Sequence, residues 1–320
     1  MAKYINPFTD TGFKVIFGKE NQSEEILRSF LNDLFFNQPL FDPITELHYS
    51  NNERVRENPA GKTIIHDVIC TTSSGHKFIL EMQNSKHDDF LFRSTYYTYR
   101  GVTDQISISN PNRRKYHFYP VVSVFMCNFN VPDLEKKLVS HFVTKDTETD
   151  FILKTGVRSA YIQLPEFNKT WEECTDNFDK WIFILKTMYT KQQFPKMSRK
   201  DEVFERLEKV SNYAALTSEE QVAYEADLLW IHDYEEGIET ARRDAIKEGL
   251  EKGLEEGRAI GKAEGIAEGR AEGRAEGRVE GRVEEKWEMA KNLFSLGIDL
   301  ETIAKASNLP IEELKNKLLS

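Results

Sequence analysis

A chain of 320 residues exceeds what one compact domain usually needs, so one sizeable domain with appendages is expected. Hydrophobic residues at 39% and aromatics at 12% can bury a core, which excludes a disordered chain; the net charge of −10 excludes a protein that grips polyanions with its whole surface. No apolar run reaches a membrane span, MAKYINPF is not a signal peptide, and Cys70, Cys127 and Cys174 suit neither a disulfide framework nor a zinc knuckle, so no membrane partner and a cytoplasmic location are expected.

The N-terminal half reads as mixed α/β. Between residues 22 and 36, Ile26, Leu27, Phe30, Leu31, Leu34 and Phe35 share one helix face, and Asn21 with Glu24 has the spacing of an N-terminal cap. Strands are expected over residues 44–49, 64–72 and 77–83, the last two joined by the turn chemistry of Ser73-Ser74-Gly75. Residues 96–105 read as a helix, the almost wholly apolar 120–129 as a buried strand, and 160–164 as a further short strand. Residues 176–190 and 202–210 follow as helices, with Trp181, Ile184 and Leu185 facing a core. The one clearly basic stretch lies between Phe92 and Tyr119, where Arg93, Arg100, Arg113, Arg114 and Lys115 are interleaved with aromatics.

Beyond about residue 245 the composition changes. Glycine recurs every four residues from Gly249 to Gly281, in a Glu-Gly-Arg-Ala repeat. Each glycine costs a helix roughly 1 kcal/mol against alanine. Glu264, Glu268, Glu272 and Glu276 repel one another at i, i+4, as do Arg270, Arg274 and Arg278. Alone, such a helix is not expected to form. Either the glycine stripe lets a second helix approach closely, which would make the chain a homodimer through this tract, or the tract is a flexible linker. In the last segment Gly297 ends one helix, Asp299 caps residues 300–306, Asn308 ends them and Pro310 opens 311–319. That is a helix–turn–helix pattern, but Glu312 and Glu313 at the start of its last helix suit packing or assembly better than DNA reading. Three segments result: 1–245, 246–285 and 286–320.

The sharpest chemical signal is the hairpin IIHDVICTTSSGHKFILEMQ. A turn centred on Ser74 sets Asp67 opposite Glu81, and alternation puts Ile79, Glu81 and Gln83 on one face and Phe78, Leu80 and Met82 on the other. Two facing carboxylates repel, and a divalent cation bound by oxygen ligands would relieve that; the alternative is a wet strand face. His66 points away from the Asp67 face and reads as structural.

Asp67 followed by Glu81-Met82-Gln83 on the next strand resembles the PD-(D/E)xK phosphodiesterase superfamily. The opening Pro7-Phe8-Thr9-Asp10-Thr11-Gly12-Phe13-Lys14, together with Arg93 and then Tyr97, is similar to its Rpn family of recombination-promoting nucleases. The resemblance covers roughly residues 1–240 and implies a central mixed sheet flanked by helices, with an α-helical C-terminal extension. It also implies a magnesium-dependent DNA endonuclease, with manganese or another divalent cation able to substitute. Asp67 and Glu81 would hold the metal, joined by the backbone carbonyl of Met82, polarising the scissile phosphate and lowering the pKa of water for in-line attack. The superfamily's Pro-Asp is His66-Asp67 here, and its lysine is Gln83, which can orient water but carries no charge.

Accessory candidates are Asp10, Lys14, the helix acids Glu24 and Glu25, and Lys86 as a substitute cation, while Arg93, Tyr97 and Arg100 are candidates for the DNA backbone. The implied setting is recombination, mobile elements or defence against foreign DNA. The competing expectation is a catalytically inactive nucleic-acid- or protein-binding module of the same fold. A strand-transferring transposase ranks last, since that chemistry usually needs a third acid on a different sheet.

Overall fold

The computed structural model describes residues 3–39, 41–50, 67–108, 118–196 and 201–319. It comprises two compact units, Met1–Asp233 and Tyr234–Ser320. In the first, a six-stranded sheet runs in the order β1-β2-β3-β4-β6-β5. Its strands are β1 (Leu47–Tyr49), β2 (Val68–Thr72), β3 (Lys77–Gln83), β4 (Val121–Cys127), β5 (Val139–Val143) and β6 (Arg158–Gln163). The first three pair antiparallel, β3–β4 and β4–β6 are parallel, and β5 returns antiparallel to β6. The mixed sheet expected from the resemblance is therefore present. β4 sits at its centre with all seven residues buried, as a continuous apolar run requires.

Helices cover both faces. Phe78, Leu80, Val122, Val124, Met126 and Ile162 point into the main core, with α1 (Asp10–Phe17), α2 (Glu24–Leu34), α4 (Asn177–Thr187) and α5 (Glu202–Val210). Trp181 lies at the centre of that core, against Phe30 and Phe204. The other face carries Phe125, Cys127 and Tyr161 against Phe90, the first residue of α3 (Phe90–Ile108), which makes the crossover from β3 to β4.

Three local features differ from expectation. α1 forms although eight residues are too few for a periodic signal; Thr9 caps it, accepting from the Gly12 N–H at 2.8 Å. α2 is not capped by Asn21, which has a positive φ of 66°; Ser23 takes the N-cap position, and its hydroxyl donates to the Val15 carbonyl, tying α2 to α1. The edge strand β5 was not legible, because its alternating burial carries the polar Ser140 and His141. Residues 64–66 of the expected strand, His66 among them, and Arg113, Arg114 and Lys115 lie outside the described residues.

α6 (Ser218–Ser295) is a single helix that includes the whole glycine tract, so the tract is helical. From residue 232 to 280 every residue is exposed, and a Cβ added at any of the nine tract glycines would meet nothing within 4 Å. In the second unit the end of α6 joins α7 (Leu300–Ser307) and α8 (Ile311–Leu318) around the buried Ala290, Ile303 and Leu314. Asp299 caps α7 through the Thr302 N–H, and Asn308 ends it in the left-handed conformation, as the sequence suggested.

Candidate active site

The site is built on the β2–β3 hairpin. Its register pairs Val68 with Leu80, Ile69 with Ile79 and Cys70 with Phe78, so one further step sets Asp67 against Glu81. The turn between the strands uses Gly75 at a φ of +87°, a conformation that favours glycine, and the Tyr119 ring lies against it. Glu81 faces Phe125 across the β3–β4 pairing and shares the sheet face of Ile79, whose side chain meets Gly101 of α3. Asp67 is anchored from the far strand: its Oδ2 accepts from the Met82 backbone N–H at 2.7 Å.

Both carboxyls are held where charge is costly. Asp67 is partly buried and Glu81 only 3% exposed. Desolvation, then the neighbouring Glu81 charge, pushes the Asp67 carboxyl up to about 7, against the Met82 N–H, which favours the ionised form. Desolvation pushes Glu81 up to about 8, and the nearby cations of Arg93 and Lys14 act against it.

Two cavities meet at Asp67. The first, about 270 Å³, is lined by Asp10, Asp67, Met82, Gln83 and Arg93, with Trp230 on its far wall. The second, about 310 Å³, is lined by Thr11, Lys14, Lys19, Asp67 and Glu220. Sequence reasoning did not reach the wall supplied by α6: Asp227 accepts from the Thr11 N–H at 2.7 Å, Glu220 pairs with Lys19 at 2.6 Å, and Trp230 stands 60% exposed. No local signal marks these residues, because the chain returns to the site only after the whole sheet is complete. Asn84, which donates to the Phe8 carbonyl, and His87 also line the first cavity; their place just past the end of β3 was the available signal.

The structure thus gathers Asp10, Lys14, Asp67, Met82, Gln83 and Arg93 around the two cavities, while Glu81 is enclosed by the hairpin and lines neither. Arg93 reaches Tyr97 one turn further along α3, with its guanidinium donating to the Tyr97 hydroxyl at 3.3 Å. The other candidates lie elsewhere. Glu25 pairs with Arg206 of α5 at 3.0 Å, Arg100 pairs with Asp104 at 2.9 Å, and Glu24 and Lys86 line neither cavity.

The donor set suits a hard divalent cation. Two desolvated carboxylates stand in register across a hairpin, and such an ion takes oxygen ligands while keeping several waters. Among the described residues no three Asp, Glu, His or Cys side chains gather as a ready-made cage, so backbone oxygen and water would complete the shell.

A mixed sheet covered by helices on both faces, with an aspartate and a Glu-x-Gln on facing strands of one hairpin, is the PD-(D/E)xK nuclease core. The profile of the family described as PD-(D/E)XK nuclease family transposase matches residues 7–241, and the chain belongs to that family. No curated protein and no solved structure matched the chain.

Proposed function

We propose that the protein is a DNA endonuclease that hydrolyses phosphodiester bonds with a magnesium or manganese ion, in the cytoplasm, in recombination, mobile-element movement or defence against foreign DNA. The observation that carries this reading is that the β2–β3 register, carried one step on, sets Asp67 beside the buried Glu81, with Asp67 itself lining two cavities. Asp67, Glu81 and the Met82 carbonyl would hold the ion. When bound, it supplies Lewis acidity toward the phosphate and lowers the pKa of water. Gln83 orients the attacking water, Arg93 steadies the DNA backbone with Tyr97 behind it, and Asp10 and Lys14 border the path of the strand. Glu24, Glu25, Lys86 and Arg100 line neither cavity and have no part in this chemistry.

Supercoiled plasmid incubated with and without magnesium or manganese, beside Asp67→Ala, tests this reading. Metal-dependent nicking that vanishes in the variant supports it, and equal nicking by both proteins sinks it. A second reading draws on the enclosure of Glu81 and the neutrality of Gln83: a nucleic-acid-binding module without chemistry. DNA bound in the absence of metal and left intact in its presence would favour that module. We further propose that the active form is a homodimer joined through the glycine tract of α6.

A further inference from the structure

We propose that Lys14 of α1 supplies the positive charge that Gln83 does not, its ammonium meeting the phosphate of a strand seated beside Asp67. This rests on the nuclease reading above. Its first support is placement. Lys14 and Asp67 line the same cavity of about 310 Å³, while Arg93 and Asp67 line the other, so each cation shares a cavity with the acid. The charge of Lys14 also reaches both Asp67 and Glu81, which sets it in the same electrostatic neighbourhood as the acids. The other lysine of that cavity, Lys19, is already engaged with Glu220 at 2.6 Å. Lys86, the nearer lysine in sequence to Gln83, lines neither cavity.

Its second support is that Lys14 has a fixed base and an exposed, exchangeable end. α1 is pinned at its start. The Thr11 N–H donates to Asp227, and Gly12 approaches the Asn6 carbonyl so closely that a Cβ there would lie 2.1 Å from its oxygen. The ammonium itself pairs with Asp10 at 2.7 Å, but the two side chains are 42% and 58% exposed. An exposed i, i+4 pair is held only weakly, so the ammonium can exchange Asp10 for a phosphate with little penalty.

In the reaction the water oxygen bonds to phosphorus while the bond to the leaving sugar oxygen breaks and that oxygen keeps the electron pair. One water proton passes to solvent, and the leaving oxygen takes a proton from solvent. Lys14 takes no part in these proton transfers; its charge opposes the negative charge on the non-bridging oxygens. A donor placed for that charge contributes on the order of 100-fold in rate.

Full-length Lys14→Met, Lys14→Arg and the double variant Lys14→Met/Gln83→Lys provide the test. Plasmid cleavage should fall about 100-fold in Lys14→Met, stay near the parent in Lys14→Arg, and recover at least tenfold when Gln83→Lys returns a cation from the strand side. A merely structural lysine would not be rescued from across the cleft. A second readout does not need cleavage. With calcium in place of magnesium, the salt dependence of DNA binding should weaken by about one phosphate contact in Lys14→Met. Parent-like cleavage by Lys14→Met, or a loss that neither Arg nor Gln83→Lys restores, overturns the proposal. A parent that binds DNA but never cuts it sinks the nuclease reading instead, and the calcium binding data then decide Lys14 separately: an unchanged salt slope overturns its contact with phosphate.

Discussion

Asp67 and Glu81 hold their protons far above the ordinary carboxylate range, to about 7 and about 8, because the hairpin and sheet desolvate them. The consequence for stability has a definite sign. Unfolded, both groups ionise near pH 4; folded, they resist ionisation until pH 7 to 8. Below pH 4 they are protonated in both states and cost the fold nothing. As pH rises from 4 to 8 the penalty for charging them grows, and above 8 it is complete. A divalent cation that displaces the protons removes this penalty, so magnesium should raise the melting temperature clearly at pH 8.5 and hardly at all at pH 5.5. Scanning calorimetry at the two pH values, with magnesium or with EDTA, measures this. Asp67→Asn should be more stable than the parent at pH 8.5 and lose the magnesium response. A shift of equal size in the variant would place the ion elsewhere.

Elements rather than residues decide what could be read in advance. The β2–β3 hairpin was legible because one turn and a strict two-residue alternation fix its register, and the register alone brings Asp67 to Glu81. The central strand β4 was legible from its apolar run. Missed were α1, too short for periodicity, and the α6 wall, whose Tyr224 and Asp227 hold the Asn6 and Thr11 N–H groups from more than two hundred residues away along the chain. The accessory acids show a related limit: helix position shows that Glu25 is partly exposed, but not that Arg206 of α5 is there to meet it. The close packing of α1 makes its own prediction. Gly12→Ala puts a Cβ against the backbone carbonyl of Asn6, which has no flexible side chain to yield, so α1 must shift. The variant should lose roughly 2 kcal/mol or more of stability. Because Asp10 and Lys14 ride on α1, cleavage should fall further than the unfolded fraction explains. Denaturant unfolding beside plasmid cleavage separates the two effects, and cleavage that tracks the folded fraction alone would show that α1 does not position the site.

At the scale of the whole molecule, the question is how α6 remains helical through nine glycines, whose combined penalty is on the order of 9 kcal/mol against alanine. Nothing within 4 Å of the glycine positions offsets that cost, whereas a second copy of the chain could lie close along the bare stripe. The charges favour one orientation. Each tract glycine from Gly265 to Gly281 has a glutamate on its N-terminal side, and from Gly269 onward an arginine follows each one, so the stripe has an acidic flank and a basic flank. Two parallel helices set the acidic flank of one against the basic flank of the other; antiparallel helices set like against like along their length. A parallel homodimer is therefore the expected assembly. Truncation after residue 245 keeps the contacts of Tyr224 and Asp227 with the N-terminal segment, so it should leave the site intact and turn the dimer into a monomer by light scattering. Orientation can be read from spin labels on Lys286→Cys in the full chain. A parallel pair centred on the tract brings the two labels within roughly 25 Å, whereas an antiparallel pair separates them by about 60 Å at 1.5 Å of rise per residue. A dimer that survives the truncation would move the interface off the glycine tract, and the long distance would show that the flanking charges do not set its direction.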